Sequence, residues 1–363
     1  MNDEKIVSEV EEARKEIKTD QLQMSVGELL NLYKEKELKL NPTYQRLFRW
    51  KDEDKTRFIE SLILGIPVPP IFVAQSDEGI WDIVDGLQRI STILQLTGDL
   101  EGSESLTLTS CNYIPSIEGN TWETLPSTIT RVIKRSRLSI SIILTENSIK
   151  SQYELFQRLN TGGMHLSDQE IRNCLIIMSD SDFYETLNSY KENESLLGAI
   201  NQKESKLKEE ISMELMLRYL IAKKKTYKEE ECNVSKTLFS RFIDNETLNL
   251  IKDPDFNIAE ELALLVEVID KIHMATGNNT FVKYNFGKAR FEGGFSLSVF
   301  EAVLSGIANN WDNIKNIPNN ELRELIISLN SKTEFKTATK AGTKALKRYF
   351  LLNNLSSNYF SAL

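Results

Sequence analysis

Cysteine, histidine and proline are all scarce in this 363-residue chain, which has three Cys, two His and eight Pro. Cys111, Cys174 and Cys232 stand far apart with no C-x-x-C pair. That spacing excludes a disulfide framework and reads as buried thiols in a reducing cytosol. His165 and His273 are too few for a zinc finger, an H-E-x-x-H protease or a His–Asn–His nuclease. Positive charge is not in excess either: 44 Lys and Arg stand against 53 Asp and Glu, for a net charge of −9. A bulk histone-like binder is therefore out, while a local basic groove remains compatible with an acidic chain. The longest apolar stretch, residues 62–74, is cut by Gly65, Pro67, Pro69 and Pro70 and cannot cross a bilayer as a helix. The polar start MNDEKIVSEVEEARKEI has no apolar signal core. A soluble, cytoplasmic protein without a membrane partner is the expectation.

What is present suggests two domains, at roughly 150 residues each. Residues 4–18 place Ile6, Val10, Ala13 and Ile17 on one narrow helical stripe, the pattern of a lid or docking helix. Ser25 with Glu28 forms a capping box ahead of Leu29, Leu30 and Leu32, and Asp52 is placed to cap a helix that stops at Gly65. Residues 70–74 read as a strand entered through prolines, near a sheet edge. Residues 81–96 read as a strand, a turn at Asp85-Gly86 and a helix stopped by Gly98. Residues 138–144 alternate like a strand, a helix follows through Tyr153, Phe156 and Leu159, and Ser167 with Glu170 opens another. From there to the end the reading is helical, with 3.6-residue periodicity at 211–224, 258–275, 295–310 and 320–330. The expected organisation is an amino-terminal helix at 1–19, an α/β domain at 20–165 and an all-α domain at 166–363.

The strand–turn–helix at 81–96 carries the clearest chemistry. A helix beginning just after Asp85-Gly86 has backbone N–H groups without intrahelical acceptors, and with the positive end of the helix dipole they form an anion site. Gly86 permits the turn and a close approach of ligand to backbone. Arg89 adds a fork of donors suited to phosphate oxygens. A cation at a helix amino end is unfavourable by itself, and an anionic ligand would reverse that cost. Asp85 is placed to hold Mg²⁺ or orient a water, and Gln88 to position a water or hydroxyl. The plain alternative is a strand-to-helix connection with surface polar residues.

Two further clusters bear on this choice. Tyr44, Gln45, Arg46, Arg49 and Trp50 put two guanidinium groups and two aromatic rings within seven residues, which suits base stacking and phosphate contact or an ordinary amphipathic segment. Arg158, Asn160, Gly162 and Gly163 lie at a helix end with a glycine pair able to take positive φ, which suits a pocket-closing turn or a simple glycine cap.

Taken in order, Y-Q-R-x-F-R-W, S-x-x-x-G-x-P-x-P-P, D-G-x-Q-R-x-x-T and F-x-R-L-N-T-G-G-x-x-L-x-x-x-E-I-R-N resemble the N-terminal domain family of GmrSD-type restriction enzymes, strongly over residues 24–174. The resemblance implies a ParB/sulfiredoxin-like α+β domain followed by the all-α region. It also implies binding and hydrolysis of a nucleoside triphosphate with Mg²⁺, in bacterial defence against phage or modified DNA. Asp85, Gly86, Gln88 and Arg89 match the family's Asp-Gly-Gln-Gln-Arg motif, with Leu87 in place of its first Gln. Catalytic roles then fall on Asp85, Gln88 and Arg89. Nucleotide contacts fall on Tyr44, Gln45, Arg46, Trp50, Gly86, Arg158, Asn160, Gly162 and Gly163. Glu170, Arg172 and Asn173 match the downstream motif. With two histidines, a stand-alone member without the His–Asn–His domain is expected, its partners being DNA and a separate nuclease or effector subunit. The alternative is a non-catalytic DNA-binding or sensing module using the same arginines.

Near the C-terminus Lys332, Lys336, Lys340, Lys344 and Arg348 recur every four residues. On one helix they would form a basic stripe for a phosphate backbone, extending the candidate DNA contacts that begin with Arg49; a solvated charged face is the alternative. Glu334-Phe335-Lys336 matches the E-x-K piece of metal-dependent nucleases, but no strand with a partner acid precedes it.

Overall fold

The Ser25 hydroxyl accepts from the Glu28 N–H at 3.2 Å, so strand β1 (Thr19–Ser25) passes directly into helix α1 (Val26–Lys34). The computed structural model describes residues 5–8, 10, 19–40, 50–76, 78–144, 167–201, 210–225 and 227–362. It divides into two units, residues 1–165 and 166–363. Residues 5–8 are helical, and Ile6, Val7 and Val10 are exposed; most of the stripe expected over 4–18 lies outside the described residues.

In the first unit the chain continues through β2 (Leu38–Lys39), α2 (Asp52–Leu64), β3 (Ile71–Gln75), β4 (Trp81–Asp85), α3 (Leu87–Thr97), α4 (Ser127–Arg135) and β5 (Arg137–Ile143). The sheet order is β1-β5-β3-β4-β2. Strand β3 is therefore central, antiparallel to β4 and parallel to β5, not near an edge as the prolines suggested. The reason is positional. Pro67, Pro69 and Pro70 all precede Ile71, so none withholds an N–H from the ladder. Ile71 and Val73 face inward, and Ile90, Ile93, Leu94 and Leu96 of α3 belong to the same core. Lys51, rather than Asp52, is the N-cap of α2, while Gly65 and Gly98 end α2 and α3 in the left-handed region as read.

The polar stretch after α3 is organised by two buried side chains of α2. The Glu60 carboxylate accepts from the N–H groups of Asn112, Tyr113 and Ile114 at 2.9–3.2 Å, and Thr56 Oγ1 accepts from Thr109 at 3.0 Å. These acceptors satisfy loop amides that would otherwise be unpaired.

The second unit contains α5 (Asp168–Ser179), α6 (Ser181–Tyr190), α7 (Glu194–Ile200), α8 (Ile211–Lys224), α9 (Phe239–Lys252) and α10 (Ile258–Thr276). It continues through β6 (Val282–Asn285), β7 (Arg290–Phe295), α11 (Leu297–Asn309), α12 (Trp311–Ile314), α13 (Asn319–Ser331), α14 (Thr333–Ala338) and α15 (Ala345–Phe360). The four periodic runs all become helices. The antiparallel β6–β7 hairpin is an addition to the all-α reading. Gly306 of α11 packs against α15, where a Cβ would lie 2.2 Å from Ser356 Oγ. Cys111 and Cys174 are buried as expected, but Cys232 is only half-buried. Among the described residues, no helix is long and apolar enough to cross a membrane.

Candidate functional site

The end of β4 and the start of α3 form a tight corner. Gly86 is the N-cap at φ 98°, in the left-handed region, and a Cβ there would lie 2.9 Å from Ile71 Cγ1 and 3.3 Å from Arg89 Nη2. Glycine is thus required twice, for its backbone angle and for room. The first intrahelical bond runs from Ile90 N to Gly86 O at 3.0 Å. The amides of Leu87, Gln88 and Arg89 precede it, with no intrahelical acceptor. Gly86 has no side chain to cap them, and the first turn carries no acid.

Arg89 is 9% exposed and is held at this corner by both of its terminal nitrogens. Its Nη2 donates to Asp85 Oδ2 at 2.9 Å, and its Nη1 donates to the carbonyls of Pro70, at 3.1 Å, and Pro69. Burial lowers the guanidinium pKa, and the Asp85 charge works against that shift. The electrostatic cost of a cation at the helix start is offset here by Asp85 and two carbonyls, where the sequence reading assigned that part to an external anion. Asp85 keeps 34% of its side chain exposed, with Oδ2 taken by Arg89 and Oδ1 outside that bond.

Gln88 turns toward α2. Its Oε1 accepts from the Trp50 N–H at 3.1 Å, and the half-buried Trp50 ring meets Phe58 edge-on with centroids 5.7 Å apart. The corner therefore joins three of the sequence motifs through Trp50, Pro69-Pro70 and the Asp85–Arg89 run. The proline carbonyls were not singled out in the sequence; a backbone acceptor twenty residues away leaves no side-chain signature. Tyr44, Gln45, Arg46, Arg49, Arg158, Asn160, Gly162, Gly163 and His165 lie outside the described residues.

The downstream motif builds the second unit. Ser167 and Glu170 form a reciprocal capping box at α5. Arg172 is buried, donating from Nε to Asp244 Oδ1 at 2.6 Å and from Nη2 to Ser240 Oγ at 3.2 Å, so it pins α5 to α9. Asn173 accepts from Gln169 Nε2 at 2.8 Å.

The C-terminal lysines do not share one helix. Lys332 ends α13, Lys336 is on α14, Gly342 takes φ 85° in the intervening turn, and Lys344 caps α15. Lys332 lies over the Tyr359 ring at 5.2 Å, Lys344 donates to Ser235 O at 2.8 Å, and Arg348 pairs with Glu301 at 3.4 Å. Lys336 and Lys340 are exposed. Phe335 is buried on α14, so the E-x-K tripeptide is helical. Among the described residues, no cluster of three or more His, Cys, Asp and Glu could hold a metal.

Residues 26–177 match the family model described as GmrSD restriction endonuclease, N-terminal domain. The match runs through the sheet-bearing unit and into α5. No curated protein and no solved structure matches the chain.

Proposed function

We propose that the amino end of α3 binds the phosphates of a nucleoside triphosphate, and that this domain couples nucleotide binding and slow hydrolysis to DNA restriction. The observation that carries the reading is the glycine-capped start of α3, which has neither an N-cap side chain nor a first-turn acid to compete with an anion. Leu87 and Arg89 would present backbone N–H groups to phosphate oxygens. Pairing with Arg89 neutralises Asp85, so the adjacent carboxylate does not repel an anion. Arg89 acts as a positioning residue that fixes Asp85 against the proline carbonyls.

The residues fit a Mg²⁺–nucleotide. Asp85 offers an oxygen not used by Arg89, and this ion commonly takes one or two carboxylates, with phosphates and waters completing its shell. When bound, the ion would neutralise charge on the phosphates. The family's description as a restriction endonuclease domain supports DNA as the ultimate target.

A second reading, binding or sensing without turnover, is favoured by the engagement of Arg89, which leaves that guanidinium committed to Asp85. Nucleotide binding and phosphate release, measured separately on wild type and Asp85→Asn with and without DNA, distinguish the two. Binding together with release that Asp85→Asn abolishes supports the first. Binding without release under every condition supports the second.

A further inference from the structure

The β6–β7 hairpin reverses the charge of the chain locally. Residues 282–295 carry Lys283, Lys288 and Arg290 against one acid, Glu292, in a protein of net charge −9. Residues 286–290 are all exposed, and Phe286 at the tip is 48% exposed. Tyr284 pairs with Phe291 across the strands, and these rings meet edge-on at 5.2 Å. Arg323 of α13 lies over Phe291 at 5.5 Å, adding a cation beside the hairpin, although Glu321 and Glu324 share that helix. Glu292 accepts from Lys288 at 2.6 Å and pairs with Arg290 at 3.3 Å, which holds the two cations side by side. Lys283 is exposed and has no partner among the described residues.

We infer that this hairpin is a contact surface for duplex DNA. The inference rests on the reading that DNA is the partner and assigns the contact to a segment outside the residues of the family match. A two-stranded ribbon fits the major groove of B-DNA, cations along it meet phosphates, and a phenyl ring at its tip suits a thymine methyl. Of the C-terminal lysines, Lys336 and Lys340 are also exposed, but they lie at the end of the six-residue α14 and on no ribbon that could enter a groove.

The test is fluorescence anisotropy of the full chain with a labelled duplex over a salt series. Wild type is compared with Lys283→Gln/Lys288→Gln/Arg290→Gln, Phe286→Ala and Lys336→Gln/Lys340→Gln, with circular dichroism as the folding check. The triple variant is expected to bind roughly tenfold or more weakly, with a salt slope shallower by about 2–3, since each lost phosphate contact removes ~0.9. Lys283→Gln alone, at a side chain with no partner among the described residues, is expected to lower the slope by about 1 without touching the fold. Phe286→Ala is expected to weaken binding severalfold, and the Lys336/Lys340 variant to leave it within about twofold. Wild-type binding that survives both the triple and the single lysine variants overturns the hairpin assignment and leaves DNA as partner. A wild type that binds no duplex overturns DNA as partner, and the assignment with it. Hairpin-dependent binding that is tighter on single strands overturns the duplex.

Discussion

The Trp50 N–H donates to Gln88 Oε1 at 3.1 Å, joining two motifs that are 38 residues apart in the chain. Gln88 sits on the first turn of α3 and Trp50 just ahead of α2, so this bond fixes how the chain enters α2 beside the candidate anion site. Removing the acceptor leaves a half-buried N–H without it. Gln88→Ala is therefore expected to cost about 1 kcal/mol in urea unfolding and to alter tryptophan fluorescence, while Gln88→Glu, which keeps an acceptor oxygen, changes both less.

Arg89→Ala is expected to destabilise the first unit by about 1–3 kcal/mol. It leaves Asp85 and two proline carbonyls without their donor, and the figure is reduced because a third of the Asp85 side chain faces solvent. Arg89→Lys keeps the charge but not the planar fork, and is expected to recover only part of the loss. Equilibrium denaturation checks both. An unchanged midpoint for Arg89→Ala would contradict the positioning role.

Gly86→Ala places a Cβ at φ 98° and 2.9 Å from Ile71 Cγ1. The backbone angle alone costs about 1–2 kcal/mol, and the contact with a buried side chain adds to it. Thermal unfolding should show a lowered midpoint. A neutral result would mean that the corner relaxes and that glycine is not needed there.

The signals that were legible in the sequence are short-range ones. Ser25, Gly65, Gly98 and the Ser167–Glu170 box mark helix ends because a cap acts on its own next few residues. The Asp85-Gly86 corner was readable for the same reason. Strand β3 was misplaced because its prolines lie next to it and not in it, a distinction set by where the ladder begins. The β6–β7 hairpin escaped because its strands are short and the second carries Gly293 and Gly294, with Gly293 at φ 103° beside a register shift. The Pro69 and Pro70 acceptors of Arg89 were hidden because they are backbone carbonyls brought in by the fold.

Three buried tyrosines predict alkaline sensitivity in the second unit. Burial raises the pKa of Tyr219, Tyr227 and Tyr349, with Glu261 adding to the shift at Tyr219 and Glu229 and Glu246 at Tyr227. Below about pH 10 the phenols are protonated in both states and stability is unaffected; above it the unfolded chain releases protons that the folded chain retains, so stability falls with rising pH. Each tyrosine contributes a slope of about 1.4 kcal/mol per pH unit above that point. The Tyr219 hydroxyl has no hydrogen-bond partner among the described residues, so Tyr219→Phe should be neutral or stabilising near pH 7 and should flatten the alkaline slope by one proton. Urea midpoints from pH 7 to 11 test this.

The central claim is that the amino end of α3 is a nucleotide phosphate site, and isothermal titration of the full chain with each common nucleoside triphosphate and Mg²⁺ tests it most directly. Wild type should bind at least one of them, and Asp85→Asn, whose carboxamide oxygen can still accept from Arg89, should lose most of that affinity when Mg²⁺ is present while staying folded. Silence from every nucleotide, with and without DNA, or equal binding by folded Asp85→Asn, would contradict the account.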